Sequence, residues 1–474
     1  MTLRNFLLGA ASAIVLSSCV ANPVHVASSQ TTALAQGEFL GARPGVAVGT
    51  ALPADWWRLY NDPVLDSLIA DALQANTDVR QAVARIDRAR AALRGAQADR
   101  SPQTSVNASS GYGRTPQGPA GTDNNGALFG IGAQVTYEVD LFGRVSGSVA
   151  AAQSELAATQ ADADATRVMV VADTTQAYAA ATSSAARIAN ARSIVALLDE
   201  TLRLVRKRHD AGLADGLAVA RIETLREQRA AAIPAIEAQR TAALFALATL
   251  TGRAPSQLPT IVGDRALPLE IASAIPVGDG AQLLARRPDV RAAEQRLAAS
   301  TARISVARAD LYPRIVLGAS ANSAAGNLGD LFSGGPLGFL LGPLVNWAFP
   351  NREPIRARID AAGADAAGAL ASFDGVMLAA LQETETALSD YARSLEQRQS
   401  LTSAHAAALR AARITRAQNR EGVVDSLQTL ESERTLAEAQ AALVDQDAQV
   451  SRRQIEVFRA LGGGWQSPHP FPAN

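Results

Sequence analysis

Apolar residues, with an occasional Ser or Thr, return at every seventh position along two long stretches of the chain. The first seam runs Val149, Leu156, Ala163, Val170, Ala177, Ser184, Ala191, Leu198, Val205. The second runs Ile359, Ala366, Phe373, Ala380, Ala387, Ser394, Leu401, Ala408, Thr415, each 210 positions further on. No proline interrupts either stretch, from Pro119 to Pro234 or from Pro354 to Pro468. A heptad kept over that length predicts helices packed as a coiled coil, and the small seam residues permit close approach. Arg144–His209 reads as one helix of about 66 residues, which spans roughly 99 Å at ~1.5 Å per residue. Gly212 and Gly422 stand where a helix C′ glycine is expected. Leu217–Leu250 and Leu427–Leu461 then read as returning helices, with Pro234 predicted to kink the first.

The same spacing holds beyond the seams. Asp210-Ala211-Gly212-Leu213-Ala214-Asp215-Gly216-Leu217 reappears as Arg420-Glu421-Gly422-Val423-Val424-Asp425-Ser426-Leu427, and Glu223/Glu433 and Gly252/Gly462 keep the offset. Upstream, Asp78-Val79-Arg80 matches Asp289-Val290-Arg291, and Pro102 matches Pro313. Solenoid repeats run at roughly 20–50 residues, so this is a tandem duplication of a large unit. Each half also holds a change of period. Phe129, Ile131, Ala133, Val135, Tyr137 and Val139 alternate with Gly, Gln, Thr and Glu, the pattern of a strand with one apolar face. Thr104–Ser109 is a short, small-residue partner. The second half offers Arg314–Ser320 and Leu344–Phe349 about a Gly-rich loop. Isolated hairpins are not stable alone. Strands apolar outside and polar inside fit a transmembrane barrel closed by several chains, with a soluble β-subdomain as the alternative.

Composition supports long helices. The chain is 48% hydrophobic but only 4% aromatic, and an Ala-rich, aromatic-poor sequence suits closely packed helices more than a globular core. A net charge of −1 removes the electrostatic case for nucleic acid. The N-terminus carries Arg4, an apolar stretch Asn5–Leu16, then Leu16-Ser17-Ser18-Cys19, a secretory signal too short to span a bilayer. Cys19 is the only cysteine, so it is either a free thiol placed by chance or, after a lipobox-like sequence, a lipidation site. Acyl chains there, palmitate among them, would tether the protein without a spanning helix. Val20 in place of an Asp points to the outer membrane. His25, His209, His405 and His469 are scattered, and no metal spacing, phosphate loop or nucleophile elbow is present. The paired acids Glu383/Glu385 and Glu431/Glu433 read as solvated helix faces. No enzyme, cofactor or metal is expected.

Six short motifs stand in one order: Trp56-Trp57 with Asp62-Pro63, Tyr137–Arg144, Arg287-Pro288-Asp289-Val290, Ala309–Pro313 and Ala460–Trp465. With the lipobox and the duplicated helix–hairpin–helix plan, the chain resembles the TolC-like outer-membrane factors, in particular their OprM/NodT-type lipoprotein branch. Asn351-Arg352-Glu353 departs from the Gly-rich turn usual after the fourth strand. The resemblance implies a mostly α fold with a small β-barrel contribution. Long antiparallel helices would form a periplasmic tunnel, and four strands from each of three chains a twelve-stranded barrel. It implies a homotrimer in the outer membrane of a Gram-negative bacterium. This would be the passive exit duct of a tripartite efflux system, working with a periplasmic adaptor and an inner-membrane, proton-driven transporter. A duct for type I protein secretion is the alternative, and a structural coiled-coil lipoprotein without a conduit the reading from another class.

The expected organisation is a signal peptide (1–18), an extended segment (19–62) and a first repeat (63–252, hairpin about 104–140, tip near 212). A linker follows (253–288), then a second repeat (289–462, hairpin about 314–349, tip near 422) and a tail (463–474). Gly212, Leu213, Gly422 and Val423 are expected to dock the adaptor. Asp215 and Asp425 either cap the returning helices or form part of an acidic periplasmic gate with Arg208 and Arg420 as partners.

Overall fold

The computed structural model describes residues 39–43, 47–50, 52–115, 124–213, 215–257, 268–271, 273–333 and 337–465. The expected signal sequence (1–18) and Cys19 lie outside these residues. The elements in order are β1 (Ala47–Val48), α1 (Pro63–Ala75), α2 (Thr77–Ala98), β2 (Gln103–Thr115), β3 (Asn124–Glu138), α3 (Arg144–Asp210) and α4 (Gly216–Leu250). They continue with β4 (Ile275–Pro276), α5 (Gly280–Arg286), α6 (Pro288–Ala309), β5 (Arg314–Ala325), β6 (Leu337–Asn346), α7 (Glu353–Arg420) and α8 (Ser426–Ala460). The described residues fall into two compact units, one gathering 85–160 and 292–374, the other the remainder.

The first unit holds one antiparallel sheet in the order β2-β3-β5-β6. The two hairpins join through β3 and β5, with Phe129 opposite Ala325 and Tyr137 opposite Leu317. At 13 residues, β2 is longer than the small-residue stretch suggested and stays in register with β3 from Gln103 to Thr115. In the same unit α6 meets the start of α3 through Arg303 and Glu155, 3.1 Å apart.

The second unit contains most of the long helices. α3 has 67 residues and α7 has 68. Every seam position in both is buried or half-buried, as a heptad that faces its partners requires. α4 folds back along α3: Arg192 meets Glu237 at 2.7 Å, and Arg206 meets Glu223 nearer the turn. α8 returns along α7 in the same way, through Arg416 and Glu433. The seam serine Ser394 accepts two 2.9 Å hydrogen bonds from the buried Gln446 of α8, so its polarity is answered inside the pair. α4 runs through Pro234 as one helix. The missing N–H removes a hydrogen bond there without ending the element.

Seven aromatic residues, Phe39, Trp56, Trp57, Tyr60, Tyr178, Tyr391 and Phe458, gather at the core of this unit. Trp56 is fully buried, stacked on Phe458 at 4.5 Å and edge-on to Trp57 at 6.2 Å and Tyr60 at 6.4 Å. Leu247, Leu283 and Tyr391 belong to the same cluster. Asp62 then caps α1 through Val64 N–H at 3.0 Å, with Pro63 in the first turn. Arg287 closes the core from another side. It donates to both Asp289 oxygens (3.0 and 2.6 Å), to Glu383 (2.9 Å) and to the carbonyl of Ala460 (2.9 Å). Burial pulls the guanidinium pKa down, but the two carboxylates outweigh it and hold it above its ordinary value.

Candidate functional site

The sheet presents two chemically different faces. Register places Val106, Tyr112, Phe129, Ile131, Val135 and Tyr137 on one side with Leu317, Phe339, Leu341 and Val345. The other side carries Ser105, Asn107, Ser109, Gln134, Thr136, Ser320 and Asn322, interrupted by Leu340 and Leu344. Because side chains alternate across a strand, a single register produces both faces at once. The apolar face is open in the single chain, Phe339 being 84% exposed. Among the described residues β2 and β6 each have one neighbour only, so the sheet ends in two unpaired edges.

The junction between strands and helices is a built ion-pair centre. Glu138 at the end of β3 accepts two 2.6 Å bonds from Arg144 and one of 2.7 Å from Arg314. The Glu138 carboxylate in turn raises the Arg144 pKa against the opposing effect of burial. Asp140 caps α3, accepting from Val145 N–H (3.0 Å) and Ser146 N–H (2.7 Å). Burial alone would raise the Asp140 carboxyl, yet the Ser146 side chain, these backbone hydrogen bonds and the charge of Arg144 hold it below its ordinary value. Phe142 stacks on Tyr312 at 4.5 Å, tying the turn after β3 to the turn before β5. The Tyr137–Arg144 and Ala309–Pro313 motifs are thus two sides of one corner.

The helical turns carry the remaining candidates. Gly212 and Gly422 adopt φ of +72° and +74°, the left-handed conformation a helix-ending glycine supplies. Leu213 and Val423 follow, 78% and 70% exposed. Asp215 accepts from Ala218 N–H and Asp425 from Gln428 N–H, each at 2.8 Å, so both carboxylates cap the returning helix. The two turns touch through a residue the sequence did not single out. Arg208 donates to Asn419 Oδ1 at 3.4 Å, and Asn419 Nδ2 donates to the carbonyl of Val424 at 3.0 Å. Arg420 ends α7 and is exposed. Among the described residues no group of His, Cys, Asp and Glu is arranged to hold a metal ion.

Comparison with known proteins agrees with this architecture. The outer membrane efflux protein family matches residues 68–253 and 280–463. The outer membrane protein OprJ of Pseudomonas aeruginosa is 29% identical, over 96% of this chain and 94% of its own length. The pyoverdine export outer membrane protein OpmQ of the same species is 31% identical, over 98% of both. Among solved structures, the outer-membrane channel OprN superposes with a TM-score of 0.85 at 33% identity, covering 90% of this chain and 96% of its own. Duplicated hairpins, a two-faced sheet and a match spanning both repeats together place the chain in the outer membrane efflux protein family.

Proposed function

We propose that the protein is the outer-membrane exit duct of a tripartite efflux system, passively conducting small molecules to the exterior. The observation that carries this reading is the open four-stranded sheet, apolar on one face and polar on the other, on the same chain as two long helical hairpins. Unpaired strand edges are not tolerated in hydrocarbon, where each free N–H and C=O costs several kcal/mol. Pairing β2 of one copy with β6 of the next removes both edges. Three copies then close a barrel of about twelve strands, an even number as such barrels use. The apolar face meets lipid, the Ser/Asn face lines the lumen, and the helices continue the conduit into the periplasm. Energy comes from elsewhere, from an inner-membrane, proton-driven transporter reached through a periplasmic adaptor.

Within this reading the exposed turns at Gly212-Leu213 and Gly422-Val423 face the adaptor. Asp215 and Asp425 from three copies gather about six carboxylates at the narrow end, a ring that favours cations. Arg208 and Arg420 are their partners in neighbouring chains. Cys19 is the lipid-bearing terminus of the mature protein, which mass spectrometry of the membrane-extracted protein tests directly. The function as a whole is tested by purifying the protein from outer membranes and recording in planar bilayers. Heat-modifiable trimers and discrete ion conductance are expected, with raised susceptibility to exported compounds on deletion. Monomers without conductance would overturn the proposal.

A further inference from the structure

We propose that Trp347, Phe349 and Arg352 form a binding site for the phosphate of a membrane phospholipid, one per chain, where the sheet gives way to α7. The inference rests on the sheet spanning the outer membrane. Just past the end of β6, whose apolar face carries Leu341 and Val345, Trp347 and Phe349 are both exposed and stacked on each other at 5.1 Å. Trp347 Nε1 donates to the carbonyl of Leu311 at 3.1 Å, which holds that ring in place. Amphipathic aromatics at this level of a barrel sit among lipid headgroups.

A cation lies against the rings. The Arg352 guanidinium stands 5.3 Å from the Trp347 centroid and 5.7 Å from that of Phe349. Its Nε is buried without a hydrogen-bond partner, and among the described residues no carboxylate pairs with it. The acids of the neighbourhood are already engaged. Glu353 pairs with Arg356 at 3.8 Å, Asp310 with Arg358 at 3.4 Å, and Glu138 with Arg144 and Arg314. A guanidinium held on an aromatic pair, with its donors unspent, has the planar fork that matches a phosphate diester. At the end of a lipid-facing strip, the phosphates within reach belong to phospholipids. The acyl chains would then lie along Val345 and Leu341, so one molecule satisfies the unpaired cation and covers the exposed apolar surface together.

Native mass spectrometry of the full-length trimer, released from detergent and titrated with phosphatidylglycerol, tests the site. Wild type should retain up to one tightly held lipid per chain. Arg352→Gln should weaken that retention about tenfold, the scale of one charge-assisted hydrogen bond lost. Arg352→Lys, which keeps the charge and loses the fork, should fall between. Trp347→Leu gives a second route to the same loss. Planar-bilayer conductance of each variant is recorded alongside, so loss of the duct and loss of the lipid site are separate results. Wild-type retention by a conducting Arg352→Gln trimer would overturn the proposal. So would displacement of the lipid by inorganic phosphate at equal concentration, which would mark a general anion site.

Discussion

Gly463 shows how little freedom single residues have in this core. A Cβ there would stand 2.5 Å from Leu52 Cδ2 and 3.0 Å from Trp56 Cδ1, and Trp56 is itself fixed by Phe458. Gly463→Val should destabilise the chain by about 1–3 kcal/mol, the usual cost of overpacking. The measurement is thermal unfolding of the purified trimer, and an unchanged midpoint would contradict the packing described. The turn aspartates are a milder case. Each cap contributes about 1 kcal/mol, so Asp215→Ala with Asp425→Ala should lower stability slightly while leaving assembly intact. If the carboxylates also gate, the double variant should gain open-state conductance and lose cation preference in single-channel recordings. Wild-type conductance and selectivity would leave capping as their whole role. Capping was legible in the sequence, because an Asp three residues past a turn glycine is a local signal. The Arg208–Asn419 contact was not, because its partners lie 211 residues apart and only folding brings them together.

At the scale of elements, legibility followed the strength of the periodic signal. The heptad seams repeat many times without proline, and both long helices followed from them. β3 alternates large apolar residues with small polar ones and was equally plain. β2 was not, since Ser105, Asn107 and Ser109 alternate with Val106, Ala108 and Ser110, small residues on both faces. Its partner supplies the register its own sequence barely states. The seam serine, too, acquires a reason only in three dimensions, from Gln446. Register makes a sharp prediction on β6. Leu341 lies opposite Ala319 on the apolar face, and Leu340 opposite Ser320 on the polar face. Leu341→Arg should therefore cost about 2–4 kcal/mol mid-membrane, while Leu340→Arg faces water and is borne. Urea unfolding of the protein refolded into bilayers distinguishes them. Equal losses would mean the face assignment is wrong.

For the molecule as a whole, the two free sheet edges differ in kind. β2 offers a run of Ser, Asn and Gly, β6 a run of Leu and Phe. Neither edge copies the other, so in the proposed trimer copies would join head to tail, growth stopping only when the third returns to the first. The long helix α7 agrees with a crowd of neighbours: its most apolar window is only 22% buried within one chain. Such a ring is vulnerable to a faulty member. A copy with prolines set into the free side of β6 still offers a sound β2, so it enters the ring and prevents closure. Expressed at equal level with the normal chain, it leaves about one trimer in eight free of defect if subunits mix at random. The mutant allele should then be dominant: susceptibility to the exported compounds should rise in cells that still carry the intact gene. A recessive phenotype would show that the edges sort before they close.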